Sequence, residues 1–283
     1  MSLKRLSFWV LFAVAALAAC VTTPVSQRQA LILIPFSQEV SLGRQAYGEV
    51  LKKEKVSEDA HLTEIARRVA RRIARISAMP NLEWEAELLD SKQQNAFALP
   101  GGKIAVYTGI LPVCRNEAGL AAVLSHEVAH VIARHGAQRM SQQLLVTGAL
   151  TAASISLATH RDRNVIMGAL GLGVLYGITL PFSRSDESEA DEIGLVYMAR
   201  AGYDPNEALR FWTRFAAEKK GESPPEFMST HPADETRIKQ IQNRLPAALR
   251  EYQLAAEKLG LGETFDIKPE PDRSRGEKTR PKD

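Results

Sequence analysis

Cysteine is almost missing from this chain of 283 residues. Only Cys20 and Cys114 occur, too few for a disulfide framework and wrongly spaced for a zinc ribbon. A surplus of one charge is missing too. The 36 basic and 33 acidic residues leave a net charge of +3 with no concentrated basic face, so nucleic acid is not expected as a partner. There is no internal repeat. No apolar run reaches the roughly 18–20 residues that cross a bilayer: Leu6 to Leu17, Leu144 to Ala158 and Val165 to Leu180 all fall short. What the chain does have is 45% hydrophobic residues, enough for a sizeable core, and an ordinary 24% of charged ones.

Lys4 and Arg5 precede the apolar stretch, and Leu17-Ala18-Ala19-Cys20 closes it. A positive start, a short apolar middle and small residues before a cut site describe a secretory signal. The ending resembles the bacterial lipobox, which implies a leader over residues 1–19 and an acylated Cys20 as membrane anchor. Val21 stands where the best-known inner-membrane retention signal has Asp. The expected station is therefore the periplasmic face of the outer membrane, the inner membrane being second choice. Residues 20–35 read as a tether, 36–258 as the folded body, and 259–283 as a charged, disordered tail.

Within the body, Ser37 to Lys53 and Ser57 to about Ala78 read as helices, the second with Ile65, Val69, Ile73 and Ile76 at helical spacing. Its arginines (Arg67, Arg68, Arg71, Arg72, Arg75) read as a solvated face. A partly alternating segment from Leu82, a short apolar one from Asn95 to Leu99, the Pro100-Gly101-Gly102 turn and Lys103 to Ile110 predict a small sheet with a hairpin. Asn116 caps a helix expected to stop at Gly136, and most of the remainder is helical. The two apolar runs between residues 144 and 180 are expected as buried or site-covering helices, and Cys114 as a small packed side chain.

His126-Glu127-Val-Ala-His130 falls inside the predicted helix. Residues i and i+4 differ by about 40° around a helix, so both imidazoles face one side and can reach one Zn²⁺ at about 2.0–2.1 Å. Glu127 is placed to act as general base, the HExxH arrangement. A third ligand is needed. Gly136 occupies the place of a third histidine in the extended motif, and His135 lies well around the helix. Among downstream acids, Glu187 and Asp191 share a helix face, whereas Glu189 points about 200° from Glu187 and reads as solvated. Geometry leaves Glu187 as one candidate among several.

HExxH, then Ser183-Arg184-Ser-Asp-Glu187-Ser-Glu-Ala-Asp191, then Ser229-Thr230-His231-Pro232 with Arg237, resembles the HtpX/CAAX-protease family of zinc metallopeptidases. The likeness includes Asn95-Ala-Phe-Ala-Leu-Pro-Gly-Gly and Val106-Tyr-Thr-Gly, and spans roughly residues 36 to 245. The subgroup it most resembles is that of the Oma-type and LoiP-type enzymes, the latter periplasmic lipoproteins. The resemblance implies an α+β, mainly α, zincin-like fold with a small mixed sheet before the HExxH helix. It implies Glu187 as third zinc ligand, Asp191 as the partner orienting a zinc histidine, and His231 as stabiliser of the tetrahedral oxyanion, with Arg237 in support. Asn95, Ala96, Phe97 and Ala98 would bind substrate backbone as an added β-strand. Unlike the membrane-embedded CAAX proteases, the chain has no long spans, so prenylated substrates are not expected. After Arg237 too little chain remains for a tetratricopeptide module.

The expected protein is thus an endopeptidase holding one zinc and acting on unfolded or misassembled envelope proteins, reached through the membrane anchor at Cys20. The rival readings are a lipoprotein chaperone or assembly factor with a latent protease site, and a structural lipoprotein with a vestigial one. Substrate identity and oligomeric state are not encoded in any motif.

Overall fold

The computed structural model describes residues 20–23, 25–156, 182–218 and 226–265. The expected leader (1–19) and the apolar run from Val165 to Leu180 lie outside the described residues. The elements in order are β1 Cys20–Thr22, β2 Gln29–Leu31, α1 Phe36–Lys53, α2 Ala60–Ile76, β3 Glu85–Leu89, β4 Ala96–Leu99, β5 Lys103–Tyr107, α3 Leu111–Cys114, α4 Glu117–Ile132, α5 His135–Ser156, α6 Arg184–Arg200, α7 Asn206–Glu218, α8 Glu226–Thr230 and α9 Glu235–Leu254. The architecture is mainly helical with small sheets. None of the described helices is long and apolar enough to cross a membrane.

Local chemistry sets most boundaries. Asp59 caps α2 by accepting from the Leu62 N–H, and Ile65, Val69 and Ile73 form its buried stripe. The outer arginines pair with acids: Arg67 with Glu87, Arg68 with Glu117, Arg71 with Glu64, Arg72 with Glu257. The sheet has strand order β3-β5-β4, with β3 parallel and β4 antiparallel to β5. Gly101 and Gly102 turn the β4–β5 hairpin at φ 85° and 83°, in the left-handed region that suits glycine.

α4 is buried at every position, so its apolar residues need no single stripe. Asn116 caps it as expected, accepting from Gly119 N–H at 2.9 Å. Its end differs from expectation. The helix stops at Ile132 because Arg134 adopts φ 56°, and Gly136 lies in the first turn of α5. α6 starts at a capping box formed by Ser183 and Asp186, and crosses α4 where Gly194 faces the backbone of Ser125 and His126. Phe211, Trp212, Phe215 and Phe227 fill the space below, and Cys114 is buried as expected.

Both expected flexible ends are docked where they are described. The segment 20–35 is no tether: β1 and β2 form an antiparallel hairpin, Ala30, Ile32 and Ile34 are buried, and Leu33 N–H donates to Ser141 Oγ at 2.8 Å. Every second residue of the unbroken apolar run from Ala30 to Ile34 faces inward, and this drives the docking. At the other end residues 259–265 are docked, and the rest of the expected tail lies outside the described residues. Glu117 and Ala118 N–H, unpaired by the first turn of α4, donate to the Glu263 and Leu261 carbonyls, and Phe265 is buried. Part of the 144–158 run also departs from expectation: Leu144, Leu145 and Val146 on α5 are exposed.

Candidate metal centre

Three segments deliver the donors. α4 places His126 and His130 one turn apart, with Nε2 atoms 3.0 Å from each other. α6 contributes Glu187, whose carboxylate oxygens lie 3.4 Å from His126 Nε2 and 3.4 Å from His130 Nε2. Two donors bound to zinc at about 2.0–2.1 Å with a tetrahedral angle lie about 3.3–3.4 Å apart, so this triangle fits one ion. Glu187 Oε2 is met by the Arg237 guanidinium, whereas Glu127 Oε1 is buried without a hydrogen-bond donor. Buried acceptors of this kind are costly unless a cation meets them.

The surrounding groups fix the ligands. Asp191 Oδ1 lies 3.0 Å from His126 Nδ1, which selects the tautomer with Nε2 free for a metal. Arg237 forks onto Asp191 through Nε at 2.9 Å and a terminal nitrogen at 2.7 Å. Its other terminal nitrogen is 2.9 Å from Glu187 Oε2, and its guanidinium lies over the Trp212 ring.

Burial works against ionisation of Glu187, yet His231 and His126 outweigh it and hold the carboxyl well below the usual range. Burial and Arg237 oppose a proton on His126, but Glu187 and Asp191 prevail and push it up to about 9. Burial keeps His130 well below its ordinary value, and so neutral. Burial also raises Glu127, an effect that His231 and His126 only partly offset.

The structure brings His126, His130, Glu187, Asp191, Arg237 and Glu127 together as expected, and moves one residue. His231 does not stand beyond the ligands. Its Nδ1 lies 3.2 Å from His126 Nε2 and 2.9 Å from Glu187 Oε1, among the donors, while its Nε2 is 3.4 Å from Glu127 Oε1. α8 sets this position: His231 N–H donates to the Phe227 carbonyl at 2.8 Å, and the two rings lie 4.5 Å apart. Four protein side chains could thus reach one ion, one more than the three that a catalytic zinc typically takes from protein.

β4 passes beside α4 with one edge unpaired among the described strands. Tyr107 N–H donates to the Asn95 carbonyl, so the pairing parity turns Asn95 and Phe97 toward β5 and the amides of Ala96 and Ala98 toward the open edge. The Ala98 backbone hydrogen-bonds the Glu127 carboxylate, tying that edge to the centre.

Three neighbours were not anticipated. Phe182 stacks on His130 with ring centroids 4.1 Å apart. Glu189, expected in solvent, is buried because the N-terminal hairpin covers its face of α6, and His135 is buried beside His130. A helical wheel cannot register a cover supplied from 160 residues away.

Residues 57–245 match peptidase family M48. The chain is 39% identical over 231 residues to "Mitochondrial metalloendopeptidase OMA1" of Schizosaccharomyces pombe, covering 80% of this chain and 66% of that protein. It is 30% identical over 258 residues to "Metalloendopeptidase OMA1, mitochondrial" of Bos taurus, covering 86% and 49%. With "Beta-barrel assembly-enhancing protease" of Escherichia coli K12 it shares 27% over 217 residues, covering 75% and 44%. The chain thus spans only part of the length of each.

Proposed function

The chain belongs to peptidase family M48, and on that premise we propose that it is a zinc-dependent endopeptidase of extended polypeptides. His126, His130 and Glu187 would hold the ion. Zinc, when bound, polarises a scissile carbonyl and lowers the pKa of a water it holds to about 7. Glu127 takes the proton of the attacking water and passes it to the leaving amine. Its raised pKa brings it closer to neutrality, where a general base works best. Asp191 keeps His126 in the binding tautomer, and Arg237 holds Asp191 and Glu187 apart as charges while orienting both.

The open edge of β4 would take substrate backbone through the amide of Ala96, next to the Ala98 backbone that holds Glu127. For water to share the ion, His231 would have to leave the donor set. Displaced, it becomes an N–H donor for the tetrahedral oxyanion, a contribution typically worth about 2.7–4 kcal/mol when preorganised.

The observation that carries this reading is the convergence of His126, His130 and Glu187 from two helices at spacings that suit one ion, with Glu127 Oε1 buried beside them without a hydrogen-bond donor. The cellular part of the proposal is degradation of misassembled envelope proteins from the periplasmic face of the outer membrane, with acylated Cys20 as anchor. It is supported by the leader pattern of residues 1–20 and by the name of the Escherichia coli relative. Glu127→Gln should abolish cleavage of casein while keeping about one zinc per chain, and His130→Ala should lose the metal. A Glu127→Gln protein that still cleaves would refute the mechanism, and one that fully rescues a deletion strain would favour a chaperone.

A further inference from the structure

His126 has a carboxylate directly behind its Nδ1, but His130 has none. Behind His130 Nδ1, at 2.8 Å, stands His135 Nδ1. His135 Nε2 in turn lies 3.2 Å from Glu189 Oε2. Glu189 then accepts from three residues of the N-terminal hairpin: Thr23 Oγ1 at 3.0 Å, Ser26 Oγ, and Arg28 Nε at 2.5 Å. Arg28 also reaches Asp186 Oδ1 at 3.1 Å and Gln138 Oε1 at 2.8 Å.

With His135 neutral, as it must be when His130 binds a cation through Nε2 and keeps its proton on Nδ1, one proton assignment satisfies every link. A carboxylate accepts, so His135 must carry its proton on Nε2 and present a bare Nδ1. That bare nitrogen can only accept, so His130 must carry its proton on Nδ1 and leave Nε2 bare. Nε2 is the atom aimed at His126 Nε2 and Glu187. The relay therefore imposes on His130 the tautomer that Asp191 imposes directly on His126.

A second metal site could be imagined here, since His135, Asp186 and Glu189 offer donors close together. The Arg28 guanidinium already pairs with both acids, so a side-chain cation occupies the place an ion would take.

We infer that His135 and Glu189 are positioning residues for the metal ligand His130, and that the N-terminal hairpin, through Arg28, is a working part of the metal centre. The inference rests on the metal-binding reading above and extends it to the hairpin. Without the hairpin, Glu189 would face solvent and could turn away from His135, and His130 would be free to sample the other tautomer. Loss of such an outer partner commonly costs about 10–100-fold in metal affinity.

The test is zinc affinity by chelator competition on the full chain, with melting of the metal-free protein measured alongside. The variants are His135→Leu, His135→Gln, Glu189→Gln and Arg28→Ala. Leu fills the space without an acceptor, whereas the Gln side-chain carbonyl restores one. The expected result is about a 10–100-fold loss for His135→Leu, substantial recovery in His135→Gln, and a smaller loss for Glu189→Gln and Arg28→Ala. Nitrogen-15 shifts of the His130 ring should report protonated Nδ1 in the wild type and mixed tautomers in the metal-free His135→Leu protein. Equal affinity in His135→Leu and wild type would overturn the inference. So would equal losses in the Leu and Gln variants that track the loss of melting temperature, since that pattern means packing alone. A wild-type chain that binds no zinc, or a His130→Ala chain that still does, would instead overturn the metal-centre reading and this inference with it.

Discussion

Gly194→Ala tests whether the packing of two helices sets the metal geometry. A Cβ at Gly194 would stand 3.1 Å from His126 N, 3.2 Å from His126 Cα and 3.2 Å from Ser125 C. Comfortable carbon contacts are about 3.5–4.0 Å, so the methyl is short of room by roughly 0.3–0.5 Å. All three obstacles are backbone of α4 and cannot rotate aside. α6 must therefore back away, carrying Glu187 with it. Metal–donor distances tolerate about ±0.2 Å, so a shift of that size takes the Glu187 oxygens out of range.

Stability is the wrong readout for this variant. Overpacking costs about 1–3 kcal/mol, while replacing a helical glycine with alanine returns about 0.5–1 kcal/mol. The expected net loss on urea unfolding is about 0–2.5 kcal/mol. Zinc affinity by chelator competition should fall at least about 10-fold, or 1.4 kcal/mol. Gly48→Ala is the control, because no atom lies within 4 Å of its Cβ position. It should keep full zinc affinity. Unchanged affinity in Gly194→Ala would refute the idea that the α4–α6 contact holds the donors in register.

Other substitutions probe other parts of the centre. Arg237→Lys cannot reproduce the fork onto Asp191, the Glu187 contact and the stacking on Trp212 together, so thermal melting should fall and zinc affinity drop by about 10-fold or more. Cys114 should resist a thiol reagent in the native protein and react once in denaturant, because burial pushes its thiol pKa far up. Ending the chain after Lys258 removes the carbonyls that receive Glu117 and Ala118 N–H, together with buried Phe265. Urea unfolding should then show a loss on the order of 3 kcal/mol.

The parts legible in the sequence are those whose physics is local. The histidine pair, the Asn116 cap, the Ile65-Val69-Ile73 stripe and the Pro-Gly-Gly turn each depend on neighbours within a few residues. Asp191 behind His126 also followed, once the family resemblance had singled out α6. What escaped depends on distant partners. Glu189 looked solvated because the hairpin that buries it comes from residues 20–35. His231 reaches the donors because α8 and the Phe227 ring set its position, which no local pattern encodes. The helix end at Ile132 turned on Arg134 taking a left-handed conformation, which glycine two residues later seemed better suited to provide.

The hairpin leaves almost no slack ahead of the catalytic body. Cys20 pairs with Leu31, and Thr23, three residues on, already touches Glu189. A fully extended chain covers at most about 3.3–3.6 Å per residue, so Cys20 can stand no more than about 10 Å from that anchoring point. If Cys20 carries acyl chains as proposed above, they would hold the folded body at a set height and tilt over the bilayer rather than let it roam on a leash.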